Sequence, residues 1–170
     1  LKTDSMLKID MHTHILPHVL PKWTEKFGYG DFIYLDQRDD GKADMIRGDK
    51  YFRTIEENCW DEQVRIKEYE DFNTQVQVIC TVPVMFSYWA KPEDGAEVSR
   101  FLNDHIIDIV TRFPKNYIGL GTIPMQDTDL AVKELERIHK LGMAGIQIGS
   151  NINDLNLSEE RFFPIYEACE

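Results

Sequence analysis

The chain alternates between short apolar runs and longer stretches in which apolar residues recur every three or four positions. In the first run, Leu7, Ile9 and Met11 alternate with polar neighbours, and this period of two predicts a β-strand. Further runs rich in β-branched residues or glycine predict three more strands, at 76–82, 117–123 and 145–149.

Helical periodicity lies between these strands. It predicts helices over about 61–72 (apolar face Val64, Ile66, Tyr69 and Phe72), over 93–112 and 129–140, and a last one opened by Ser158. Strand and helix in alternation predict an α/β fold with a parallel sheet. No Gly-x-Gly-x-x-Gly follows the first strand, so a dinucleotide-binding fold has no support. A closed (β/α)₈ TIM barrel needs eight such units in about 250 residues. We therefore expect residues 1–170 to be the N-terminal half of a single barrel domain, with about four βα units.

The region from about 15 to 60 fits neither period. Short alternations at 32–35 and 50–53 predict a small hairpin inserted there, and the many aromatic residues argue against disorder. A loop of this length in a compact domain is usually functional.

Composition narrows the class of protein. The net charge of −11 argues against nucleic acid or an anionic membrane as a partner, and no apolar run reaches about 18 residues. The three cysteines are widely spaced, which is typical of reduced thiols in a cytoplasmic protein.

His12 and His14 are the first candidates for chemistry. Two positions apart on a strand, both imidazoles leave the same face, where the strand ends before Pro17. Paired imidazoles form half of a site for Zn²⁺ or a related ion, although two surface histidines near a turn would give the same pattern. His18, His105 and His139 lack ligand-like spacing.

Several stretches resemble a known family. Residues 9–14, Ile-Asp-Met-His-Thr-His, resemble the first metal motif of the amidohydrolase superfamily. Five longer segments are similar to the 2-amino-3-carboxymuconate-6-semialdehyde decarboxylase family, and the similarity spans 7–168; the segments are 27–30, 57–61, 81–94, 119–126 and 145–149.

The resemblance implies a metal-dependent, non-oxidative decarboxylase of tryptophan catabolism through kynurenine. It would convert 2-amino-3-carboxymuconate 6-semialdehyde to 2-aminomuconate 6-semialdehyde and so limit quinolinate formation. It also implies one Zn²⁺ held by His12, His14, a later His and a later Asp, and a homodimer when the protein is full length. The later ligands and the catalytic proton donor would lie in a half that this chain does not contain, so we expect the 170 residues alone to be inactive.

The same resemblance assigns substrate-binding residues. Arg53 matches a position that holds a substrate carboxylate, and Arg47 matches a basic position that is usually Lys. Met85, Phe86 and Trp89 would wall the pocket around a flat conjugated substrate, or else form a hydrophobic plug. Asn58 and Trp60 are ambiguous in the same way.

Two alternatives stay open. One is a related decarboxylase of aromatic acids, or a hydrolase of the wider superfamily. The other is a catalytically inactive truncated form that pairs with a full-length subunit.

Overall fold

A computed structural model describes residues 6–170. The strands are β1 (Ile9–His14), β2 (Ile33–Gln37), β3 (Lys42–Arg47), β4 (Lys50–Glu56), β5 (Val76–Cys80), β6 (Tyr117–Gly121), β7 (Gly145–Ile146), β8 (Asn151–Ile152) and β9 (Leu155–Asn156). The helices are α1 (Trp23–Phe27), α2 (Glu62–Asp71), α3 (Pro92–Arg112), α4 (Thr128–Lys140) and α5 (Phe163–Cys169). Short 3₁₀ turns precede α2, α3 and α5, at Glu57–Cys59, Pro83–Met85 and Glu160–Phe162.

The centre of the fold is a four-stranded parallel sheet in the order β1-β5-β6-β7. Helices α3 and α4 connect its successive strands, which confirms the predicted α/β class and agrees with part of a TIM barrel. All four predicted strands are present. Among the described strands β1 and β7 are its edges, as open ends of a part-barrel would be.

The last predicted strand is shorter than expected. The ladder to β6 ends with a hydrogen bond from the Gln147 amide to the carbonyl of Gly121, 2.8 Å, and the chain then turns into the unpredicted β8–β9 hairpin. Ser158 does not open the last helix, because a 3₁₀ turn intervenes and α5 begins at Phe163.

The region between β1 and α2 is built around a three-stranded antiparallel sheet, β2-β3-β4. The predicted hairpin found the outer strands but missed β3, which pairs with both. Ala43 and Met45 of β3 are fully buried and pack with Trp23, Phe32 and residues of α3. The insertion is therefore ordered by its own apolar core.

Helix α2 follows its predicted apolar face only in part. Val64, Ile66 and Tyr69 are half-buried, and Ile66 packs against the core. Phe72, just after the helix, is 72% exposed, and the buried residue of the helix is Arg65. The side chain of Asp61 caps the helix as expected, accepting from the amides of Gln63 and Val64. The buried guanidinium is tolerated because four hydrogen bonds to neutral acceptors satisfy it.

A buried polar network fixes the end of β6 against the helices. Asn103 of α3 is fully buried; its amide nitrogen donates to the carbonyl of Thr122 and to Glu134, and its oxygen accepts from the Thr122 amide, at 2.7–2.8 Å. The guanidinium of Arg137 donates a hydrogen bond to each carboxylate oxygen of Glu134, at 2.7–2.8 Å. Gly121, just before Thr122, leaves room for this packing, because a Cβ there would force the end of the Ile138 side chain to shift.

None of the helices in residues 6–170 combines the length and the apolar character needed to cross a membrane.

Candidate metal centre and substrate cleft

His12 and His14 converge at the carboxyl end of β1. Their Nε2 atoms are 3.2 Å apart, and the rings meet edge to face with centroids 4.8 Å apart. His12 is exposed and His14 is half-buried. The expectation that both imidazoles leave one face is met.

A β-bulge aims the two histidines. Asp10 pairs with Gln77 and Thr13 with Ile79, so that Met11 and His12 together oppose the single residue Val78. Asp10 contacts Tyr69 of α2 on the helix-covered face, whereas His14 lies opposite Cys80, its Nδ1 3.4 Å from the Cys80 sulfur. Without the extra residue, strict alternation would put Asp10 and the histidines on the same face.

The surroundings of His14 prepare it as a ligand. Its Nδ1 lies 3.0 Å from the carbonyl oxygen of Thr81 and donates to it when the ring is neutral, which leaves Nε2 as the free lone pair. Burial, followed by the neighbouring His12, lowers the pKa of His14. The neutral ring, which is the form that binds a metal, is thereby favoured.

The donor pair fits a small divalent ion. With metal–nitrogen bonds of about 2.0–2.1 Å, two nitrogens are about 2.9 Å apart at a right angle and about 3.4 Å apart at a tetrahedral angle. The observed 3.2 Å lies between these values. Within residues 6–170 no three His, Cys, Asp or Glu side chains form a group able to hold a metal.

A cleft of about 560 Å³ opens at the carboxyl ends of β5 and β7. The segment after β5 lines one side with Phe86, Tyr88 and Trp89, and the segment after β7 lines the other, beginning at Gln147. Arg47, at the end of β3, supplies a cation at its mouth. An aromatic cleft with a guanidinium suits a flat, anionic ligand.

Comparison with known proteins identifies the family. A family model described as Amidohydrolase matches residues 9–170, nearly the whole chain. The chain belongs to the amidohydrolase family.

Two curated relatives that match nearly the whole chain share one name. The 2-amino-3-carboxymuconate-6-semialdehyde decarboxylase of Dictyostelium discoideum is 52% identical over 165 residues, covering 96% of this chain and 46% of the relative. That of Caenorhabditis elegans is 38% identical, covering 99% of this chain and 47% of the relative. This amidohydrolase chain thus spans about half the length of the curated relatives it matches.

Solved structures agree on the fold. A 5-carboxyvanillate decarboxylase from Novosphingobium aromaticivorans, described with bound manganese, superposes with a TM-score of 0.71 over 96% of this chain and 47% of its own, at 19% identity. The 5-carboxyvanillate decarboxylase LigW from Sphingomonas paucimobilis gives a TM-score of 0.62 at 27% identity, over 66% of this chain and 34% of its own.

In the amidohydrolase structure, only some of the predicted pocket residues line the cleft. Phe86 and Trp89 line the cleft, with Trp89 42% exposed and packed against Phe32. Met85 does not line it, since its side chain is 2% exposed and packs in the core beneath the insertion. The position of Met85 favours its interpretation as part of a hydrophobic plug. The positions of Phe86 and Trp89 favour their interpretation as walls of the pocket.

The two predicted arginines lie on neighbouring strands of the small sheet. Arg53 on β4 is exposed; its guanidinium stacks over Phe52 at 5.7 Å and makes no ion pair with the described residues. Arg53 pairs with Met45 of β3, two residues before Arg47. Like Arg53, Arg47 forms no ion pair within residues 6–170.

The ambiguous residues have structural partners. Trp60 is buried and its ring stacks against His18, with centroids 5.9 Å apart. The side-chain amide of Asn58 donates to Glu68, 3.0 Å, and the backbone carbonyl of Asn58 accepts from Arg65.

Three residues near the site were not found from the sequence. Arg65 and Tyr69 of α2 contact the β1 bulge on both sides, and Gln147 lines the cleft with its side-chain oxygen buried and unpaired. A polar residue inside the apolar run Ile146-Gln147-Ile148 is the one signal that could have found Gln147.

Proposed function

We propose that the protein carrying this chain decarboxylates 2-amino-3-carboxymuconate 6-semialdehyde to 2-aminomuconate 6-semialdehyde, with a bound divalent metal, in tryptophan catabolism. The observation that carries the proposal is the convergence of the His12 and His14 Nε2 atoms at the carboxyl edge of the sheet. It occurs in a chain 52% identical to a relative of that name.

His12 and His14 would hold the metal, and we propose Zn²⁺. A bound Zn²⁺ polarises a substrate oxygen and lowers the pKa of bound water towards about 7. The hydrogen bond from His14 Nδ1 to Thr81 keeps the ring oriented with Nε2 towards that ion. The manganese in the related 5-carboxyvanillate decarboxylase makes Mn²⁺ the competing metal.

The chain's other residues bind and orient the substrate. Arg53 and Arg47 would grip its carboxylates with paired N–H···O bonds. Phe86 and Trp89 would lie against one face of its conjugated plane and exclude water from that face. The remaining metal ligands and the proton donor would come from residues outside this chain, and the working form would be a cytoplasmic homodimer.

A second candidate is the decarboxylation of a hydroxylated aromatic acid. A gamma-resorcylate decarboxylase from Polaromonas is 32% identical over 71 residues, covering 41% of this chain and 21% of the relative. Such a substrate is also flat, conjugated and anionic, so the cleft alone does not separate the two.

The test is a substrate panel with defined metal loading. Decarboxylation of the semialdehyde is followed by its absorbance, and CO₂ release from 2,6-dihydroxybenzoate and 5-carboxyvanillate is measured beside it. For the full-length protein that carries this chain, we expect turnover of the semialdehyde that stops with chelator, returns with Zn²⁺, and is lost in His12→Ala. Turnover of an aromatic acid only would select the second candidate, and turnover unaffected by chelator would refute both.

A further inference from the structure

Helix α2 contacts the histidine-bearing strand on both sides of its bulge. Tyr69 reaches the residue that precedes the bulge, and Arg65 reaches the residue that follows it. One turn of helix separates the two side chains, so both leave the same face towards β1.

The first contact continues to the amide of a histidine. The Tyr69 hydroxyl donates to Oδ2 of Asp10, 3.0 Å, and Oδ1 of the same carboxylate accepts from the His12 amide, 3.2 Å. The hydroxyl therefore orients a carboxylate whose other oxygen holds the bulged backbone. Burial and the bond to Asp10 raise the pKa of Tyr69, so its hydroxyl keeps the proton that it donates.

The second contact fixes the strand end. Arg65 is 8% exposed and donates from one nitrogen to the carbonyls of His14 and Asn58, both at 2.9 Å. Its other nitrogens donate to Oε1 of Gln77 on the adjacent strand, at 2.9 and 3.3 Å. Three segments of chain are thus joined at one rigid planar group, which holds the backbone carbonyl of His14.

We propose that Tyr69 and Arg65 are positioning residues that set the separation of the His12 and His14 Nε2 atoms and so the affinity for the metal. The inference rests on the metal site of the proposed function. The hydrogen bond to Thr81 orients the His14 ring, but the bulge leaves the strand pairing incomplete at Met11 and His12, so the backbone there depends on contacts from α2. Groups that orient metal ligands typically change metal affinity by about 10–100-fold when they are removed.

The test compares Tyr69 with Tyr166, a second half-buried tyrosine whose hydroxyl donates a hydrogen bond. Zn²⁺ affinity is measured by competition with a chromophoric chelator for the parent protein, His12→Ala, Tyr69→Phe, Arg65→Lys and Tyr166→Phe. Tyr166→Phe is the matched control, because its hydroxyl donates to the backbone carbonyl of Leu157 at 2.6 Å, far along the chain from the histidine strand and from Arg65. Thermal midpoints of the metal-free proteins report the purely structural cost of each change.

We expect Tyr69→Phe to weaken Zn²⁺ binding about 10-fold and Tyr166→Phe to leave it within twofold, although both lower the thermal midpoint. Arg65→Lys, which keeps the charge but loses the fork, should weaken Zn²⁺ binding as well. Zn²⁺ affinity within twofold of the parent in both Tyr69→Phe and Arg65→Lys overturns the inference while leaving the proposed function intact. Zn²⁺ binding that His12→Ala does not change overturns the metal site and the inference together.

Discussion

Replacing Arg53 with alanine should separate function from stability more cleanly than any other change in the chain. Arg53 is exposed on β4 and forms no ion pair with residues 6–170; its one contact of note is with the neighbouring Phe52 ring at 5.7 Å. Surface changes of this kind alter the free energy of unfolding by less than about 0.5 kcal/mol. A charge-assisted, two-pronged contact with a substrate carboxylate contributes about 3 kcal/mol, which corresponds to roughly a 100-fold fall in kcat/KM.

The assay measures steady-state kinetics of the full-length protein with the semialdehyde as substrate, and urea unfolding of the same samples. Arg53→Lys should restore only part of kcat/KM, because a point charge lacks the fork. Arg38→Ala is the control: this exposed arginine follows β2 and pairs with Asp40 at 2.8 Å, away from any predicted substrate contact. Values of kcat/KM for Arg53→Ala within twofold of the parent would refute the carboxylate contact.

Two further predictions concern stability. Burial lowers the pKa of His105 to about 4 against the opposing effect of Glu62, so the unfolded chain takes up this proton near pH 6.5 and the folded chain only near pH 4. The contribution of His105 to the free energy of unfolding is therefore full above about pH 6.5, and at most about 3 kcal/mol of it is lost as the pH drops towards 4. His105→Gln should flatten this part of the plot of unfolding free energy against pH. Parallel plots for the parent and the variant would contradict the lowered pKa of His105. Asn103→Asp replaces the amide donor that faces Glu134 with a carboxylate and should lower the free energy of unfolding by about 3–5 kcal/mol. The measurement is urea unfolding beside the exposed control Asn156→Asp. Equal midpoints for the two variants would show that the buried network does not contribute to stability.

The parallel sheet could be predicted because its strands are marked by local pattern. The run 76–80 is apolar or β-branched at four of five positions, and α3 repeats its buried residues Val98, Leu102, Ile106 and Ile109 at helical spacing. Strand β3 was missed although Lys42, Ala43, Asp44 and Met45 alternate between polar and apolar as in a strand, because this run is short and directly follows the polar, glycine-containing stretch 36–41. Its burial comes from the insertion's aromatic residues, which are distant in sequence.

The convergence of His12 and His14 could be predicted from their spacing, but the detailed geometry could not. The bulge that turns the two histidines away from Asp10 depends on the register with β5. Arg65 could not be found, because a charged residue in a helix is normally exposed and its acceptors lie on three separate segments. Met85 and Trp89 have the same apolar character in sequence, and only packing places one in the core and the other at the cleft.

The most direct test of the account is the location of the metal. Crystals of the protein grown with Zn²⁺, and separately with Mn²⁺, would be measured at the absorption edge of each metal to obtain anomalous difference maps. The account predicts one peak at about 2.0–2.1 Å from both His12 Nε2 and His14 Nε2, absent in His12→Ala. A peak elsewhere, or imidazoles that diverge with one in the core and one in solvent, would contradict it.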